Sequence, residues 1–295
     1  MQRASGIHPQ QGPQSLRISY PALTSTGSCI AAADKEKDHI PEEEEEEESE
    51  NMEKKRFGVL MCAEDSEYVK KVYGGYSGVF VRMLAEEGET WDVYKVACGD
   101  FPDEDDLGLY DGFVITGSCS DAHGNDTWVN DLLNLLRKLD SMNKKILGIC
   151  FGHQILGRAL GGKVTRSPTG WDLGVRTITL SPSLPFALIS LDLPSRLSII
   201  ECHRDEIREL PAKAEVIAWS DKTGIEMFRY GDHIMGIQGH PEYSKDILFH
   251  LIDRLIQRNY IIDVFGKQAR DRAALWEPDR EAWKKLCVTF LKGRL

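Results

Sequence analysis

The chain has 295 residues, 41% of them hydrophobic, and a formal net charge of −11. That length buries a substantial core in one large domain or two small ones, and no uncharged apolar stretch approaches the roughly 20 residues of a membrane span. The acidity is local: residues 34–53 hold twelve acids and two lysines, residues 1–33 add two arginines, and the other 242 residues carry a net −3, which leaves the body without a basic stripe for nucleic acid.

Residues 1–55 are rich in Ser, Gln, Pro and Gly, then acidic through EEEEEEESE, with no sustained amphipathic period. Such a segment buries too little apolar surface to offset its ordering, so it is expected as a disordered extension. Its acid-free start leaves organelle targeting open on the thin support of Arg3 and Arg17. From Arg56 the pattern changes. RFGVLMCA reads as a strand, GVFVRMLAEEG as an amphipathic helix closing on Gly88, and TWDVYKVA and YDGFVITGS as two more strands. TWVNDLLNLLRKLDSMN is a helix with Asp126 and Thr127 as candidate caps. KKILGI is a strand, and GHQILGRALGG is a helix ending on a glycine pair. This alternation predicts an α/β fold, a mostly parallel sheet flanked by helices, with its site at the carboxyl ends of the strands.

After Gly162 the chain becomes strand-rich, through VRTITL, RLSIIECH, AEVIAWS, GIEMFRY and HIMGIQGH. The helix SKDILFHLIDRLIQRN follows and completes a body over residues 56–262. One helix is expected in residues 263–295, with Trp283, Leu286, Val288, Phe290 and Leu291 packing on that body. The seven cysteines are odd in number and contain no CxxC pair, and the eight histidines form no HxxH or HExxH pair. This predicts a reducing compartment such as the cytosol, with no disulfide framework, no metal and no cofactor.

The sharpest local feature is GICFGHQ, residues 148–154, placed between a strand and a helix. It has the form G-x-C-x-G, the thiol counterpart of a nucleophile elbow, in which glycines at 148 and 152 give a tight turn the space it needs. The helix N-terminus beyond the turn is expected to lower the pKa of Cys150, and the N–H of Phe151 would face an oxyanion. Alone, the heptad fits a small buried residue as readily as a nucleophile. GHPEY, residues 239–243, supplies what a nucleophile needs. In an extended segment His240 and Glu242 fall on the same side, so the carboxylate can orient the ring. Cys62, Cys98, Cys119 and Cys202 lack an elbow and read as core or loop, and His153 reads as structural.

GICFGHQ followed by GIQGHPE resembles the class I (triad) glutamine amidotransferase family, whose motifs are G-x-C-x-G-x-Q and a later H-P-E. VITGS and ECHRDEIRELP fall where that family has its oxyanion loop and a further His-and-Asp segment. The resemblance implies a flavodoxin-like fold and a triad of Cys150 as nucleophile, His240 as base and Glu242 orienting it. It implies Gly117 and Phe151 as oxyanion donors, Gln154 holding the glutamyl part, and His203 lining the same pocket. One departure touches Gly117, since the family often has two adjacent glycines there and this chain has Gly117 followed by Ser118. The MCAEDSEYVKKVYGGYSGVF opening and the SDKTGIEMF segment are similar to the plant cytosolic γ-glutamyl peptidases. That likeness implies cleavage of the γ-glutamyl bond of glutathione conjugates or related small peptides in sulfur metabolism. The alternatives are a glutaminase subunit feeding ammonia to a separate synthase and, further off, an inactive binding module.

Overall fold

The computed structural model describes residues 16–19, 54–182 and 190–295. Strand β1 (Leu16–Ser19) comes first, followed by β2 (Arg56–Leu60), helices α1 (Glu67–Tyr73) and α2 (Tyr76–Leu84), and β3 (Thr90–Tyr94). The alternation continues through β4 (Gly112–Ile115), α3 (Thr127–Ser141), β5 (Lys145–Ile149) and α4 (Phe151–Ala159). β2 pairs in parallel with β3 and with β4, and β4 in parallel with β5. The free side of β5 is taken by β12 (Ile234–Ile237), again in parallel, with Ile149 opposite Ile237.

The strand-rich second half divides in two. β6 (Lys163–Arg166) and β9 (Asp205–Glu209) form a separate antiparallel pair. β7 (Asp172–Leu180), β8 (Arg196–His203), β10 (Ala214–Trp219) and β11 (Met227–Tyr230) extend the main sheet beyond β12 by antiparallel pairing. The order of the described strands is β1-β3-β2-β4-β5-β12-β11-β10-β7-β8. Helices α5 (Lys245–Gln257), α6 (Asp263–Leu275) and α7 (Arg280–Leu291) close the chain.

The central parallel strands are apolar on both faces because helices cover both sides. Phe57, Val59, Val114, Leu147 and Ile149 pack toward one layer with Val79, Phe80 and Leu84 of α2 and Trp283, Leu286 and Phe290 of α7. Phe113, Ile115 and Ile146 pack toward the other layer with Leu132 and Leu136 of α3 and Ile155 and Leu156 of α4. The two-residue side-chain period thus sends successive residues of each strand into opposite cores. α7 packs on the body through Trp283, Leu286, Phe290 and Leu291, with Val288 half-buried, as its pattern requires. No helix among the described residues is long and apolar enough to cross a membrane.

Several elements depart from expectation. Leu16–Ser19 lies within the stretch expected to be disordered, yet it pairs antiparallel with β3 from Leu16 opposite Val93 to Ser19 opposite Thr90. Arg17 Nε donates to Oδ1 of the buried Asp92 at 2.9 Å, so the open edge of β3 and a buried carboxylate together hold this segment. The rest of that expectation falls outside the described residues. α1 was not expected, although its ends are signalled: Ser66 Oγ accepts from Val69 N–H at 3.2 Å, and Gly74 closes the helix at φ 77°. Residues 263–295 hold two helices rather than one, because α6 packs through the small residues Gly266, Ala269 and Ala273 and lacks a bulky stripe. Asp126 is the N-cap of α3 by backbone position, but its side chain makes no capping bond.

Candidate active site

Three neighbouring strands end side by side, and each passes a candidate residue into the same region. β4 leads to Gly117, β5 to Cys150 and β12 to His240. Parallel pairing aligns their carboxyl ends, which explains why residues far apart in sequence converge. The Cys150 N–H donates to Ile237 O at 2.8 Å, tying the backbone of Cys150 to the strand that leads to His240.

Cys150 has φ 53° and ψ −103°, a conformation that L-residues avoid. Holding it costs on the order of 1–3 kcal/mol, and the two glycines make it reachable. A Cβ at Gly148 would stand 2.5 Å from Gly152 O, and one at Gly152 would stand 2.4 Å from Ile115 O. The space argument drawn from G-x-C-x-G therefore holds in atomic detail. A Cβ at Gly117 would lie 2.8 Å from Cε1 of His240 and 3.7 Å from Cβ of Cys150. The bare Cα of Gly117 thus leaves room for the His240 ring.

His240 Nδ1 and Glu242 Oε1 are 2.8 Å apart, with both residues buried. The path between them differs from expectation. His240 through Tyr243 form a turn, with Tyr243 N–H donating to His240 O at 3.4 Å, and no extended strand is present there. Pro241 presets the turn, and the carboxylate reaches the ring across it. The other side of the imidazole is fixed by Tyr243, whose ring stacks at 4.1 Å between centroids and 4° between planes. The His240 N–H donates to Ile200 O at 2.7 Å, which fixes the backbone as well.

The thiol departs from the expected lowering. Burial pushes the Cys150 thiol well above its ordinary pKa, and the nearby Cys202, Glu201 and Glu242 add to this. The N–H of Phe151 pulls the other way, but not enough. The helix N-terminus contributes, as predicted, and desolvation outweighs it. Burial thus favours the protonated thiol at Cys150.

A cavity of about 540 Å³ opens in front of Cys150, and Gln154, Cys202 and His203 also line it. His240, Glu242, Gly117 and Phe151 are not among its lining residues. The Gln154 amide is engaged: Nε2 donates to Asp205 O at 2.8 Å and to Gln238 Oε1 at 3.1 Å. His203 Nδ1 lies 3.0 Å from Asp205 O, and its Nε2 lies 3.3 Å from Glu201 Oε2. His153 is buried against Phe228, and burial lowers its pKa to about 3, in keeping with a structural, neutral ring. Of the other cysteines, Cys62 is core and Cys98 is exposed. Cys119 and Cys202 both line the cavity.

Two side-chain groups have the types and spacing to share a cation. In the first, Asp121, His123 and Asp205, the Arg166 guanidinium already bridges the two carboxylates. In the second, Glu201, His203 and Glu226 are all buried. Burial raises the pKa of both of those carboxyl groups well above the usual range.

Residues 68–248 match the family model "Glutamine amidotransferase class-I". γ-Glutamyl peptidase 5 of Arabidopsis thaliana is 50% identical over 244 residues, covering 82% of this chain and 97% of that protein. γ-Glutamyl peptidase 3 of the same plant is 48% identical, covering 82% and 98%. A crystal structure of a glutamine amidotransferase from Thermotoga maritima superposes with a TM-score of 0.61 at 20% identity, covering 81% of this chain and 98% of that one. With its motifs at the ends of three adjacent strands and a family match spanning most of its body, the chain belongs to the class-I glutamine amidotransferase family.

Proposed function

We propose that the protein is a γ-glutamyl peptidase, hydrolysing the γ-glutamyl amide bond of small peptides such as glutathione and its S-conjugates. Half-identity to Arabidopsis γ-glutamyl peptidases over nearly their whole length is the observation that carries this reading. The arrangement of Cys150, His240 and Glu242 supports a mechanism for it. His240 takes the thiol proton as Sγ attacks the γ-carbonyl, while Glu242 steadies the imidazolium through Nδ1. The oxyanion is met by the N–H groups of Phe151 and Gly117. Collapse breaks the C–N bond, the His240 proton goes to the leaving amine, and a thioester to Cys150 remains. Water, deprotonated by His240, attacks the thioester and releases glutamate and the thiol. Gln154 and His203, on the cavity wall, hold the glutamyl part.

The free thiols of the described cysteines fit a reducing compartment, and we place the protein in the cytosol of its cell. Purified protein given a panel of γ-glutamyl compounds and glutamine tests the function. Glutamate release from glutathione or an S-alkyl glutathione, faster than ammonia release from glutamine, is the expected result. A preference for glutamine, together with a co-purifying synthase, would replace this reading with that of a glutaminase subunit.

A further inference from the structure

The cavity in front of Cys150 carries more positive charge than the chemistry above uses. Its lining brings Arg166, Arg204, Arg254 and Arg258 together with Asp121, Asp126 and Asp205. Arg166 is committed, meeting Asp205 Oδ1 and Asp121 Oδ1 at 2.6 Å each. Of the other charged lining residues, Asp126 is set against Arg204, Arg254 and Arg258 in number, one carboxylate to three guanidinium groups. Arg204 lies over the Trp171 ring, 5.7 Å from its centroid. The side chains of Arg254 and Arg258 have no hydrogen-bond or ion-pair partner among the described residues, and the titratable neighbours that Arg254 faces, Tyr76 and His250, offer no negative charge at neutral pH.

The two arginines belong to one wall. Leu251, Arg254, Leu255 and Arg258 recur at three- and four-residue intervals, the spacing of a single helix face, and all four line the cavity. The wall therefore offers two cations unpaired among the described residues, Arg254 half-buried beside Leu251 and Leu255 and Arg258 exposed, a combination that favours an anion. It also stands apart from the turn that carries His240. α5 starts just after the turn that carries His240, and Arg254 is about 14 Å further along the helix at 1.5 Å per residue. The α-carboxylate of a bound γ-glutamyl group stays close to the carbonyl that Cys150 attacks. The terminal carboxylate of a dipeptide leaving group extends further from it.

Building on the proposed function, we infer that Arg254 and Arg258 form a subsite for the terminal carboxylate of the leaving group, which makes the substrates γ-glutamyl peptides with a free carboxyl end. Ammonia, the leaving group from glutamine, has nothing to place there. The subsite thus selects for peptides over glutamine without altering the acyl chemistry at Cys150.

The test compares kcat/KM for glutathione with that for its glycine-amide derivative, in the wild type and in an Arg254→Gln/Arg258→Gln variant. A charge-assisted pair lost from a partly desolvated site predicts a wild-type preference for the acid of about 10- to 100-fold. In the variant the ratio should fall to about one, through slower cleavage of the acid. Equal rates on acid and amide in the wild type would overturn the inference. So would a variant that loses both activities in proportion, since the arginines would then serve the glutamyl part or the fold. Arg258→Gln alone, at an exposed position, provides the same reading if the double variant melts early. Failure of the underlying function looks different: the wild type would cleave neither compound.

Discussion

Cys150 is held in a strained backbone conformation with its thiol desolvated, and these two conditions act on different steps. The strain fixes where the sulfur points, and the desolvation favours the protonated thiol. Inactivation by iodoacetamide should therefore be slow at neutral pH and keep rising through pH 9, because the folded-state pKa of the thiol lies above its ordinary value. A rate that levels off below pH 7 would reveal a standing thiolate–imidazolium pair instead. Glu242 is placed to act only through His240. Glu242→Gln should leave the melting temperature nearly unchanged and lower kcat by about 10²- to 10⁴-fold with little effect on KM, because the ring loses its orienting negative charge. A steady-state assay alongside a thermal melt checks both halves of that statement.

At the scale of elements, the β5–α4 elbow depends on contacts that a single methyl group would break. Gly152→Ala puts a Cβ 2.4 Å from Ile115 O, a backbone atom that moves only if β4 moves with it. The variant should lose about 1–3 kcal/mol in denaturant unfolding, and its activity should fall by more than its folded fraction does. This elbow was also the most legible part of the sequence. GICFGHQ announced its glycine spacing, and GHPEY announced the contact of His240 with Glu242, because both are short-range patterns with a steric or chemical cause. The parallel strands were legible for a similar reason, as unbroken apolar runs between helical periods. What stayed hidden depends on distant neighbours. β6 and β9 are too short and polar to read as strands until they pair with each other. The arginines of α5 read as the polar side of an amphipathic helix, and nothing local tells that this side faces a cavity. The raised thiol pKa was hidden in the same way, since a helix N-terminus is visible in sequence and burial is not.

At the scale of the whole molecule, the C-terminal helix is fastened to the start of the sheet by a buried ion pair. Lys292, just after α7, meets both carboxylate oxygens of Glu89, and its ammonium lies 3.9 Å from the Phe57 ring centroid. Glu89 also accepts from Trp91 Nε1 at 3.1 Å. Lys292→Met keeps the side-chain volume and strands the carboxylate, so it should cost about 3–5 kcal/mol. In the double variant with Glu89→Gln, much of that loss should return. Chemical denaturation of the two single variants and the double measures the coupling. Activity at low denaturant should change little, because this pair lies away from the cavity.

β12 lies between β5 and β11, and this has a consequence during synthesis. As the chain leaves the ribosome, β5 emerges with its partner β4 already made, but its other edge stays bare until residues 234–237 arrive. A parallel slot left open that long is a template for pairing with another nascent chain. Nor can the site assemble early, because the strand that fills the slot also carries His240 to Cys150. A growing chain thus holds Cys150 without His240, and completion of the proposed site waits for the insertion of that one central strand.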